Sequence, residues 1–181
     1  MRAGETVDYT VTYLEMTARP GPPPPVPVNT NIALIRAQNP PLSYFIYLYS
    51  TVGAEYEWTD WLEKPPEEQA DFVHDPQVTL FTLMVDGWPG GFFMLDRRET
   101  GVCDLAYFGL MPEAVGRGLG RWFLGTAIQT AWDADGVERV TVNTCTLDHP
   151  SALPLYQRMG FHPVRREVHQ RTLTRDRLSN A

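Results

Sequence analysis

The 181 residues carry fifteen basic and twenty-two acidic side chains, a formal net charge of −7. That balance argues against nucleic acid as a general partner, because a phosphate backbone needs a basic surface. A hydrophobic fraction of 43% argues against disorder over most of the chain and leaves room for a single domain, residues 1–181, with a real core.

No apolar run approaches the ~20 residues that span a bilayer, and the N-terminus has no signal-peptide pattern, so no membrane partner is expected. The two cysteines, Cys103 and Cys145, fall in expected buried strands and read as reduced thiols of a cytoplasmic protein. With four scattered histidines they suggest no metal site.

Along the chain, Thr6 to Glu15 alternates Val7, Tyr9, Val11 and Tyr13 with polar residues, the pattern of a half-buried strand. Residues 19–28 hold six of the sixteen prolines and read as an exposed polyproline-type connection. From Pro41 to Val52 an apolar stripe (Leu42, Phe45, Ile46, Leu48, Tyr49) predicts a helix with Ser43 near its start and Gly53 as its stop. Ala54 to Leu62 mixes Tyr56, Trp58 and Trp61 with Glu55, Glu57 and Asp60. Such a loop either forms a pocket for an amine or covers the edge of the core.

A short helix starts at Pro65–Pro66, with Glu67 and Glu68 matching its dipole, and ends at His74 as a solvent-facing cap. Val78–Val85, Gly91–Leu95 and Val102–Leu110 read as three antiparallel strands, the first two joined by a turn at Asp86–Gly90. Leu119, Phe123, Ala127 and Ala131, with Leu124 and Ile128 beside them, predict a helix that Gly136 ends. Val137–Thr144 follows as a strand. Pro154 is tolerated only in a first turn, so the next helix starts at Ala152 with Ser151 as N-cap and turns Tyr156 and Leu153 to the sheet. Phe161–Val164, and a further stretch over Glu167–Leu173, read as strand, with a frayed tail from Thr174.

The chemistry concentrates between the strand ending at Leu110 and the helix opening at Leu119, where Gly116, Gly118 and Gly120 stand. A glycine turn opening a helix gathers backbone N–H groups and a positive helix end at one point, which suits a phosphate. No Gly-Lys-Ser/Thr follows, so the turn is no P-loop. The third glycine of a dinucleotide fingerprint is Arg121 counted from Gly116, and Phe123 counted from Gly118.

The segment from Asp104 to Phe161 resembles the GNAT superfamily of N-acetyltransferases. Its acetyl-CoA motif, Arg/Gln-x-x-Gly-x-Gly/Ala, is matched by Val115-Gly116-Arg117-Gly118-Leu119-Gly120, with Val115 in place of the leading Arg/Gln. A second signature is matched by Ala152 and Leu155-Tyr156-Gln157-Arg158-Met159-Gly160-Phe161, with His149 where the family usually has Asn. The resemblance implies an α+β fold (α/β by some schemes). That fold is a mixed, mostly antiparallel sheet of six to seven strands, flanked by about four helices and splayed at the fourth and fifth strands.

It further implies acetyl-CoA as cosubstrate, without a metal, and direct transfer of acetyl to a primary amine of a small molecule or peptide. A catalytically silent CoA-binding sensor of the same fold is the alternative. The implied cosubstrate contacts are Phe108, Leu110, Val115, Gly116, Arg117, Gly118, Leu119, Gly120, Arg121 and His149. Backbone N–H groups from Gly116 to Arg121 would take the pyrophosphate, and one near Leu110 would meet the carbonyl.

Asp104, a carboxylate in an apolar strand that aligns with a family glutamate, is the candidate base, acting through a water; otherwise it pairs a neighbouring turn. Tyr156 is by resemblance the acid for the departing thiolate; otherwise it is a core tyrosine. Cys145 reads as an inert thiol, since nothing near it in sequence activates it. The partner expected is a small amine rather than an extended basic peptide, and a homodimer is compatible with the resemblance.

Overall fold

A computed structural model describes residues 1–177. The chain runs β1 (Thr6–Met16), β2 (Ile32–Ala37), α1 (Leu42–Val52), α2 (Pro66–Val73), β3 (Val78–Val85), β4 (Trp88–Asp96), β5 (Val102–Leu110), α3 (Leu119–Trp132), β6 (Arg139–Cys145), α4 (Ala152–Arg158) and β7 (His162–Thr172). The strands form one sheet in the order β2-β3-β4-β5-β6-β1-β7. Every neighbouring pair is antiparallel except β5 and β6.

That parallel pair is short. It joins Val102, Cys103 and Asp104 to Arg139, Val140 and Thr141, and beyond Asp104 the two strands part. The expected splay therefore lies between the strands that flank α3. A bulge in β5, where Met94 faces Tyr107 but Leu95 faces Leu105, falls just past the last paired residue. It adds one residue to the strand and reverses which face the later side chains occupy.

Two cores cover the sheet. On one face α3 buries Leu119, Phe123, Leu124, Ala127, Ile128 and Ala131, the set read from its periodicity, against Leu14, Leu83, Phe93 and Val140. On the other, Phe45, Leu48, Tyr49 and Val52 of α1 and Phe72 and Val73 of α2 pack on Phe92, Met94 and Leu80. α4 begins at Ala152 with Ser151 as N-cap and Pro154 in its first turn, and Tyr156 is buried.

Several local expectations change. Strand β2 was not expected from the sequence: its six residues, three half-buried and three exposed, lie at the sheet edge, and its single partner is β3. In β1 the buried residues are Thr12, Leu14 and Met16, not Val7, Tyr9, Val11 and Tyr13. The even-numbered side meets the α3 layer, whereas α1 and α2 lie over other strands and leave the odd-numbered side partly open. The two stretches expected as strand after Phe161 form the single strand β7.

The turn between β3 and β4 is tighter than expected. Asp86 and Gly87 both take positive φ, and Trp88 already belongs to β4. Gly53 does follow α1, but its φ is −78°. A glycine is required there because a Cβ would stand 2.2 Å from that of Trp58. His74 is the exposed cap expected, with Nε2 donating to the Pro40 carbonyl at 2.9 Å.

The segment after β7 is tied down rather than frayed. Leu173 is buried, Thr174 donates to Glu57, and Arg177 N–H bonds to the Met1 carbonyl. The last four residues of the expected tail, 178–181, lie outside the described residues. The proline-rich connection is mostly exposed, but Pro23 and Pro24 rest on α3 at Gly125, where an added Cβ would meet them at 3.1 and 2.9 Å.

Candidate active site

The splay opens a groove of about 710 Å³ between β5 and β6. Its floor is β5 from Leu105 to Leu110, one end is the glycine turn with the start of α3, and Asn143 to Cys145, His149 and α4 form the far wall. Because β5 has no strand partner on its β6 side past Asp104, its backbone groups there are open to an extended ligand.

The glycine turn is built for close approach. Gly116 and Gly118 have φ of +81° and +77°, conformations that L side chains adopt at a cost, and an added Cβ at either would meet nothing within 4 Å. The space beside this backbone is therefore open to a ligand. Gly118 is the N-cap of α3, so the first N–H groups of that fourteen-residue helix have no helical acceptor. With the helix dipole they attract an anion. Val115, exposed at the lip, contributes no charge.

Of the residues predicted for the site, the structure brings together Phe108, Leu110, Val115, Gly116, Gly118, Leu119, Gly120, Arg121, His149 and Tyr156 around this groove. Two are not among its lining. Arg117 points to the β3–β4 turn, where its guanidinium pairs with Asp86 at 2.7 Å. Asp104 sits where β5 and β6 still pair, and between Cys103 and Leu105 it alternates to the face that carries α1 and α2.

Asp104 accepts a 2.6 Å hydrogen bond from Thr141 Oγ1. Burial pushes its carboxyl up to about 6, the Thr141 bond pulls the other way, and Asp96 and Glu99 push further up. An acid raised above its unfolded value of ~3.9 binds its proton more tightly in the folded chain. Its stabilising contribution is full below about pH 4 and is lost as pH rises through about 6. Asp104→Asn keeps an oxygen for Thr141 and should exceed the parent in stability by up to about 3 kcal/mol at pH 7, with the advantage gone at pH 4. Urea unfolding at the two pH values checks this; an equal difference at both would place the pH dependence elsewhere.

Tyr156 is buried among Phe108, whose ring centroid is 6.5 Å away, and Phe161 at 5.9 Å. Burial, then Asp148 and Asp104, hold its phenol well above the ordinary range, so it keeps its proton. The same interior pushes the thiols of Cys103 and Cys145 up to about 12 and about 11. For Cys145 this is the inert thiol read from sequence.

Several side chains in the groove were not singled out from sequence, among them Arg171. Tyr107 accepts a 2.6 Å bond from Trp61 Nε1 and is pushed up to about 12, first by burial. Asp148 accepts from Trp58 Nε1 at 3.2 Å, and from Thr144 Oγ1 and the Cys145 N–H at 2.9 Å each. Tyr9 and Asn143 come from the open sides of β1 and β6. In the aromatic loop after α1, Tyr56 and Trp58 line the groove, while Trp61 covers the core edge, stacked on Phe72 at 4.7 Å.

Among the described residues no group of three His, Cys, Asp or Glu side chains stands close enough to hold a metal ion. Nor is any helix long and apolar enough to cross a membrane.

Residues 44–161 match the acetyltransferase (GNAT) family, and the chain belongs to it. Its fold is that of many solved members. A GCN5-related N-acetyltransferase from Kribbella flavida is 18% identical with a TM-score of 0.57, over 89% of this chain and 56% of that one. An aminoglycoside N-acetyltransferase in complex with CoA is 18% identical with a TM-score of 0.53, over 76% and 91%. An aminoglycoside acetyltransferase from an uncultured soil metagenomic sample, in complex with trehalose, is 16% identical with a TM-score of 0.56, over 71% and 86%. Against some solved relatives the chain spans little more than half their length. No curated protein matches it.

Proposed function

We propose that this chain transfers an acetyl group from acetyl-CoA to an amine by direct attack within one ternary complex. The observation that carries the reading is the pairing of two left-handed glycines at the start of α3 with Tyr156 in one groove. Backbone N–H groups from Gly116 to Arg121 would hold the pyrophosphate, with Arg121 beside them. Phe108, Leu110 and Tyr156 stand along the path of the thioester arm.

Attack forms a C–N bond and breaks the C–S bond. An acceptor that arrives as an ammonium sheds two protons, one before attack, which goes to Asp104, and one as the amide forms, which restores the Tyr156 phenol; the departing sulfur gains one. Asp104, raised to about 6, is ionised at pH 7 yet more basic than an ordinary aspartate. Because it does not line the groove, it takes the proton through a water. A backbone N–H of β5 near Leu110 steadies the carbonyl oxygen as charge grows there.

Tyr156 gives its proton to the sulfur. A phenol raised by burial looks too weak an acid, but the thiolate beside it is desolvated by the same walls. Burial pushes the protein's own thiols up to about 12 and about 11, and enclosure of the CoA sulfur would raise its basicity in the same direction.

Thiol release from acetyl-CoA with a panel of amines tests the reading. Binding of CoA with no turnover on any amine would leave a sensor of the same fold. Gly118→Trp adds both a strained φ and a bulky ring at the cradle, and should abolish the rise in melting temperature that CoA produces. A retained shift in that variant would sink the phosphate cradle.

A further inference from the structure

Resting on that reading, the groove's charges and rings say what kind of amine it takes. Three carboxylates line it, those of Glu57, Asp60 and Asp148. Two already face a cation. Asp60 is bonded to Arg171, which also lines the groove. Glu57 is fully buried, with Thr174 donating twice to Oε2 and the Arg175 Nε 3.7 Å from Oε1. Asp148 differs: its three donors, an indole, a hydroxyl and a backbone amide, are all neutral. Among the described residues it is the groove carboxylate with no cationic nitrogen within 4 Å; Arg177 bonds the carbonyl of the preceding residue, Leu147.

The surface around that charge is aromatic. Trp58, whose indole binds Asp148, stands 5.5 Å from Tyr49 and 5.4 Å from Tyr107 between ring centroids, and Tyr56 lines the same groove. Rings of this kind bind apolar bodies, and their faces attract a cation close by.

We propose that the acceptor is a monocationic amine with an apolar or aromatic body. Its ammonium is received by Asp148, and its body lies against the wall of Tyr56, Trp58 and Tyr107. A polycation finds a single uncompensated negative charge here and must leave its other ammonium groups against rings and Arg171. Asp148 is thus a specificity residue, and the solved relatives that act on aminoglycosides do not indicate this chain's acceptor.

Calorimetric titration of the full chain, saturated with CoA, tests this with four probes: phenethylamine, 2-phenylethanol, spermidine and sisomicin. Phenethylamine is expected to bind at least tenfold tighter than the other three. Tighter binding of spermidine or sisomicin, equal binding of the alcohol, or no binding of phenethylamine would each overturn the proposal. Asp148→Asn, which keeps an oxygen for its donors, should weaken phenethylamine at least tenfold and leave CoA affinity unchanged; equal losses for both ligands would make Asp148 merely structural. If phenethylamine binds as expected but acetyl-CoA releases no thiol in its presence, the recognition stands and the transfer reading fails.

Discussion

Tyr156→Phe should lower kcat for acetyl transfer by about 10²- to 10⁴-fold, the range a positioned proton donor supplies, with the affinity for acetyl-CoA unchanged. The variant keeps the ring that packs edge-on against Phe108 and Phe161, so the groove wall and the fold stay in place. It removes one hydroxyl, whose proton burial holds firmly. Among the described residues that hydroxyl has no protein hydrogen-bond partner, so its loss orphans no neighbour. Steady-state kinetics with the acceptor that turns over, beside calorimetry for the cosubstrate, separates the two effects. A kcat within threefold of the parent would return Tyr156 to the role of a core tyrosine.

Phe123→Ala should cost about 3–5 kcal/mol of stability and lower the melting temperature by roughly 10 °C. Phe123 is 0% exposed and joins three elements through its ring, with centroids 5.1 Å from Phe108 of β5, 5.5 Å from Phe93 of β4 and 6.4 Å from Trp122 beside it on α3. Truncation leaves a void under the groove floor, because Phe108 lines the groove from the other side. Thermal and urea unfolding measure the loss. A loss below 1 kcal/mol would mean that α3 slides to fill the void, and the glycine turn would then move with it.

The elements nearest the groove were the most legible in sequence, because local chemistry determines them. The four-residue spacing in α3, the glycines before it and the constraint of Pro154 each act within one turn of chain, and the structure keeps all three. What the sequence hid depends on distant pairing. β2 is a six-residue edge strand, half of it exposed, whose single partner is β3. Which side of β1 is buried depends on where α1, α2 and α3 lie, which alternation alone does not reveal. The pairing of Arg117 with Asp86 depends on the β3–β4 turn, thirty-one positions earlier. Asp148 gave no signal of its own, since its meaning comes from Trp58, ninety positions earlier.

β1 also sets the order in which this protein can assemble. It lies inside the sheet, but its partners are β6 and β7, at positions 139–145 and 162–172. On a ribosome β1 must wait until residues 139–145 are made before one edge is covered, and until 162–172 for the other. Closing such long loops makes folding slow, and the uncovered strand is open to wrong partners meanwhile. The Glu57–Thr174 contact spans 117 positions and closes later still. The groove wall at Glu57 is therefore among the last parts to set, and nascent chains released before residue 174 will lack it.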